Sequence, residues 1–146
     1  MPPFWPEALY QLAARDHQIT WLDPVLFHTF TAAAATTVEA KFTVPAGRML
    51  LLQSATVEAV SGAAQTVSYL AVVAIPPVGG VPFVALAGEW TTGAPAKRFV
   101  NWSGSVVIAP GWIIDGTADY SAGAAANTTG LAIAGLLIPV GNIQRI

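Results

Sequence analysis

Apolar and polar residues alternate along most of this chain, at the period of two that puts successive side chains on opposite faces of a strand. In TTVEAKFTV, for example, Val38, Ala40 and Phe42 alternate with Glu39 and Lys41. Glycine and proline punctuate the pattern. Reading from turn to turn predicts strands at VLFHTFT, TTVEAKFTV, RMLLLQSATVEAV, TVSYLAVVAI, FVALAGEW, RFVNWSGSVVI, WIIDGTADYS and TTGLAIAGLLIPV. Between them lie PAG, SGAAQ, PPVGG, TTGAPAK, APG and AGAAAN. About eight strands, with turn signals roughly every 8–15 residues, predict an all-β sandwich or barrel. The longer strands should bend or bulge, at glycines such as Gly104 and Gly116.

The segment GLAIAGLLIPV, Gly130 to Val140, carries no charge and almost no polarity. A membrane-spanning helix needs about 20 apolar residues, and this run has about half that number. Asn127, Thr128 and Thr129 precede it, and Pro139, Gly141 and Asn142 interrupt or follow it. Its length, glycines and branched residues predict a strand. A spanning β-barrel would call for a secretion signal and aromatic girdles, and neither is evident. A strand with no polar side should be covered on both faces, one by the core and the other by an arm or a sister subunit.

The chain also echoes itself. VPAGRMLLLQSATVEAVSGAAQTVSYLAVVAIP, residues 44–76, is answered by IAPGWIIDGTADYSAGAAANTTGLAIAGLLIP, residues 108–139, at an offset of roughly 65 residues. Each passage runs from a Pro/Gly corner through a strand, a small-residue turn and a second apolar strand to Ile-Pro. Two corresponding hairpins in two halves of one fold are expected, the pseudo-symmetry of a jelly roll. Both halves share a core, so residues 25–146 form one antiparallel, jelly-roll-like β-sandwich domain.

Residues 1–24 read as an N-terminal arm. Pro2, Pro3 and Pro6 give an extended start, and EALYQLAARDH predicts a short helix with Leu9, Leu12 and Ala13 on one face. Asp23-Pro24 closes the arm. Its Phe4, Trp5, Tyr10 and Trp21 either fold back onto the domain or dock on a neighbouring subunit.

Composition narrows the function. The 146 residues suit one domain, 54% are hydrophobic and only 10% are charged, where about 25% charged is typical. Six basic and eight acidic residues give a net charge of -2, with no basic cluster. Such a surface has no field to steer a polyanion, which argues against nucleic-acid partners. A charge-poor chain of this kind fits an obligate assembly whose interfaces resemble a core cut in half. The absence of cysteine excludes disulfides, zinc fingers, iron–sulfur sites and thiol catalysis. MPPFWPEALYQL has no basic segment ahead of an apolar run, which predicts a product released in the cytoplasm.

Reactive groups are few. His17 and His28 form no metal-binding spacing, and no GxSxG, P-loop or GxGxxG occurs. Asp115 and Asp119 share one strand face, but lie about 13 Å apart, too far for a glycosidase pair. They read as solvated strand residues. Lys97-Arg98 reads as a solvated edge pair, with contact to a partner carboxylate as the alternative. Glu89 beside Trp90, with Trp102 and Trp112 available, suggests stacking on sugar rings, although packing in the sandwich or a subunit interface explains the tryptophans more simply. No catalytic residue, cofactor or metal ligand is expected. The candidate interface residues are Phe4, Trp5, Tyr10, Trp21, Trp90 and Trp102.

The corner VPAGRMLLLQSATVEA, the passage APGWIIDGTADYSAGAAANTTGLAIAGLLIPVGN, the Ala/Thr-rich strands and the lack of cysteine resemble the small β-sandwich head decoration, or cement, proteins of tailed bacteriophages. The resemblance covers about residues 30–146. It implies a jelly-roll-like domain that clusters with itself, often as a trimer, on the outer capsid surface of the virion. There it would bridge neighbouring major capsid subunits, with a terminal arm reaching over the capsid or a sister subunit. It brings no catalytic residues. The alternative is a phage tail, baseplate or head-fibre module that binds host surface carbohydrate.

Overall fold

A computed structural model describes residues 23–78 and 84–140. The arm helix, Phe4, Trp5, Tyr10, Trp21 and His17 lie outside the described residues.

Eight strands follow one another: β1 (Asp23–Ala33), β2 (Thr37–Thr43), β3 (Arg48–Val60), β4 (Val67–Ile75), β5 (Val84–Trp90), β6 (Lys97–Ile108), β7 (Ile113–Tyr120) and β8 (Asn127–Pro139). They form two antiparallel four-stranded sheets. Sheet A has the order β1-β8-β3-β6 and sheet B the order β2-β7-β4-β5. That order is the jelly roll. Asp23 and Pro24 open β1 rather than close an arm. Proline is tolerated there because β1 is an edge strand. No helix among the described residues is long and apolar enough to cross a membrane.

The core lies between the sheets. Leu50, Leu52, Val57, Leu131 and Ile133 of sheet A meet Val38, Ala40, Leu70, Val72 and Ile114 of sheet B, all buried. The inward residues follow the alternation expected from the sequence. At one open edge Phe27 of β1 packs on Phe42 of β2, with ring centroids 4.8 Å apart. At the other, Arg98 of β6 donates from Nε to Glu89 of β5 at 3.0 Å.

The internal echo is real, but its two units are not hairpins. β3 and β4 lie in opposite sheets, as do β7 and β8. Each unit crosses the sandwich, and the two then pair with each other, β3 with β8 and β4 with β7. They supply the two central strands of both sheets. Their Pro/Gly corners meet at one end, where the Val44 N–H donates to the Trp112 carbonyl at 2.8 Å and the Gly111 N–H donates to the Val44 carbonyl at 2.9 Å. Gly47 and Gly111 hold φ of 74° and 81° at the third position of their turns, as a type II turn requires.

At the opposite end a buried amide pair ties the small-residue turns together. Asn127 Oδ1 accepts from the Gly62 N–H at 2.9 Å and from Gln65 Nε2 at 2.6 Å. Asn127 Nδ2 donates to the carbonyls of Ala35 and Ala122, both at 2.9 Å. The Ala125 N–H donates to Gln65 Oε1 at 2.9 Å. All four hydrogen-bonding positions of the Asn127 side chain are therefore used.

The expected bulges are half met. Register between β3 and β6 jumps from Leu52↔Val106 to Ser54↔Ser103, so Gly104 does sit at an irregularity. Gly116 instead sits in regular pairing with Ala40 and Val72. A Cβ there would lie 3.1 Å from Val57 and 3.3 Å from Leu131. It permits close approach of the two sheets.

Candidate functional site

Strand parity sends one set of side chains from each strand of sheet A outward. Register then fixes which of them stand side by side. One row reads Leu26, Ala134, Ser54, Ser103; the next reads His28, Ala132, Thr56, Asn101; a third reads Phe30, Gly130, Glu58, Phe99. Pro24, Leu136, Leu51 and Val107 form the row on the other side of Leu26. Leu26 and Phe30 thus stand on one edge strand and Val107 and Phe99 on the other, across a middle that holds Gly130, Ala132, Ala134, Ser54 and Thr56 together with Leu51, Leu136 and Glu58.

Several of those bulky groups face water. Leu26 is 90% exposed, Phe30 56%, Phe99 57% and Val107 54%. Of the eight large apolar side chains exposed among the described residues, these four and Val60 lie on this one face. Glu58 and Lys97 are the charged strand residues there, and they neutralise each other at 2.7 Å. His28 stands edge-on to Phe30, with ring centroids 4.3 Å apart. Phe30 lies over Gly130, where a Cβ would come within 2.6 Å of its ring. The glycine makes room for the aromatic ring to lie down on the sheet. Five exposed bulky apolar side chains on one sheet face, with its charges paired internally, mark an interaction site more often than an accident of composition.

The tryptophans separate. Trp102 faces inward and packs against the core, as Trp112 does. Trp90 projects from the outer face of sheet B and stacks against Tyr69, with centroids 4.5 Å apart and planes tilted 40°. Glu89 points to the opposite side of β5 and pairs with Arg98, so it does not flank Trp90. The Lys97-Arg98 pair lies solvated on edge strand β6, as expected, and each side chain pairs with a carboxylate of the same chain, Glu58 and Glu89.

Asp115 overturns its expected solvation. It lies on the outer face of sheet B, between Lys41 on β2 and Val73 on β4, yet it is only 1% exposed. Its Oδ1 has no hydrogen-bond partner in the structure. Burial pushes its carboxyl up to about 6; the charge of Glu39 adds to the rise and that of Lys41 opposes it. Lys41 is itself held above its ordinary value, chiefly by its hydrogen bond to Glu39, whose carboxylate lies 2.6 Å away. Asp119, by contrast, is near the surface and accepts from Thr37 Oγ1 at 2.8 Å. Among the described residues no group of three or more His, Asp or Glu side chains is placed to hold a metal ion.

No protein-family model and no curated protein matches the chain. Solved structures do match it in shape. It is similar to part of dimeric latent PorU from Porphyromonas gingivalis, with TM-score 0.50 and 13% identity over 80% of this chain. The chain spans only 13% of that PorU chain. It is also similar to the Yersinia pseudotuberculosis-derived mitogen, with TM-score 0.49 and 10% identity, covering 75% of this chain and 86% of the other. A nora virus structure matches at TM-score 0.39 and 9% identity, covering 80% and 57%. At 13% identity the likeness to that part of PorU is one of fold alone.

Proposed function

We propose that this chain is a structural virion protein, a capsid decoration or cement protein. It would oligomerise on the outer surface of a phage head, as a trimer, and stabilise contacts between major capsid subunits. The residues ahead of β1 would serve as its arm, and the host cytoplasm would be its place of synthesis. The observation that carries this reading is the outer face of sheet A, with its exposed Leu26, Phe30, Phe99 and Val107. A face so poor in charge serves association rather than catalysis, and burying it against a second protein gains from the hydrophobic effect. The jelly roll recurs in viral capsid and lectin domains. The likeness of the two corner passages to phage decoration proteins points to the first.

The test is association. The native chain should self-associate at micromolar concentration by light scattering and bind phage heads stoichiometrically. Leu26→Glu places a charge on a side chain that is 90% exposed, so the fold should survive while self-association weakens by about tenfold or more. A native chain that stays monomeric and ignores phage heads would overturn the proposal.

A further inference from the structure

We infer that the outer face of sheet B carries a binding site for a neutral oligosaccharide, seated on Trp90 and Tyr69. Register places Trp90 of β5, Tyr69 of β4, Asp119 of β7 and Thr37 of β2 side by side, all directed outward. At the usual strand spacing the row is about 14 Å long, the reach of a short oligosaccharide. Half of it is aromatic and half is hydrogen-bonding, and that division matches a sugar. The C–H face of a pyranose stacks on an aromatic ring, while its hydroxyls need acceptors and donors at the edge.

The aromatic half is prepared. Trp90 is 74% exposed at the end of β5. Tyr69 lies across the small residues beside it: a Cβ at Gly88 would sit 2.9 Å from Tyr69 Oη and 3.5 Å from Ala71 Cβ. Any larger residue at 88 would lift that ring off the sheet. The polar half is prepared as well. Thr37 Oγ1 donates to Asp119 Oδ1 at 2.8 Å, which orients the carboxylate and leaves Oδ2 to accept from a ligand hydroxyl. Nearby Lys41 is engaged by Glu39. The row therefore presents negative charge without a cation of its own, which favours neutral sugars over acidic ones.

The experiment is a glycan array carrying neutral and acidic oligosaccharides, followed by calorimetry with the strongest neutral binder. Binding should be confined to neutral glycans. Trp90→Ala should weaken it by about tenfold or more, Trp90→Phe should restore most of it, and Asp119→Asn should weaken it several-fold. Circular dichroism should show all three variants folded. Absence of any neutral ligand, indifference to Trp90→Ala, or loss of self-association in place of glycan binding would each overturn the inference, the last by showing a protein-facing platform. Leu26→Glu, on the opposite sheet, should leave glycan binding unchanged, so this site and the proposed assembly face stand or fall separately.

Discussion

Asp115 is the residue whose environment departs furthest from its position in the pattern. Its carboxyl sits at about 6 in the fold against an ordinary 3.8, so between those values the folded chain holds more protons than the unfolded one. Stability should therefore fall as pH rises from about 4 to about 6 and stay lower above that. Asp115→Asn removes the buried charge and leaves Lys41 paired with Glu39. It should raise stability at pH 7.5 by about 1–2 kcal/mol, with the gain shrinking as pH drops through that window. Urea unfolding at pH 4 and pH 7.5 checks this; parallel pH slopes for the two proteins would count against it. Nothing in GWIIDGTADYS showed the burial. Alternation alone puts Asp115 outward, and only its flanking strands, with Lys41 and Val73 in register, close it off.

Strands were the most legible elements, because alternation and Gly/Pro punctuation are both local signals. β3 runs over the same residues, Arg48–Val60, that the pattern marks. Pairing was less legible. SGAAQ and AGAAAN read as hairpin turns, yet each carries the chain from one sheet to the other. The residues that make a tight hairpin turn and those that make a corner are alike, since both need small side chains and exposed backbone. What distinguishes these two turns is the amide at the end of each, Gln65 and Asn127, which reach one another only once the sheets face. The pairing of β3 with β8 makes its own demand. Gly135 lies beside the register shift at Gln53, and a Cβ there would fall 2.2 Å from the Leu51 carbonyl oxygen. Backbone must move to admit it. Gly135→Ala should cost roughly 2–4 kcal/mol, read as a lowered midpoint in thermal melting; a loss no larger than that of an ordinary surface substitution would mean that β3 and β8 part easily.

At the scale of the whole molecule, the bulky apolar side chains of the described residues gather mainly in the core between the sheets and on the outer face of sheet A, with Trp90 and Tyr69 on sheet B. Composition announced that surface must be hidden but not where, because the small residues of β8 look equally suited to core and interface. Of the described tryptophans offered as interface residues, Trp102 turns into the core and Trp90 stands on the outer face of sheet B. Association through sheet A should resist salt. The ion pair on its outer face, Glu58–Lys97, is internal to the chain, so raising sodium chloride from about 0.05 to about 0.5 M should leave the oligomer intact or tighten it slightly, as sedimentation velocity would show; dissociation by salt would point to a charged interface instead. The strand order has a further consequence, in time rather than in space. β8 comes last among the described strands, yet it lies between β1 and β3 at the centre of sheet A. At ordinary translation speeds, β1 waits on the order of 5–20 seconds for its partner to leave the ribosome. Throughout that interval its apolar residues have no sheet to join, and the nascent chain depends on chaperones, or on its own collapse, to keep them from strangers.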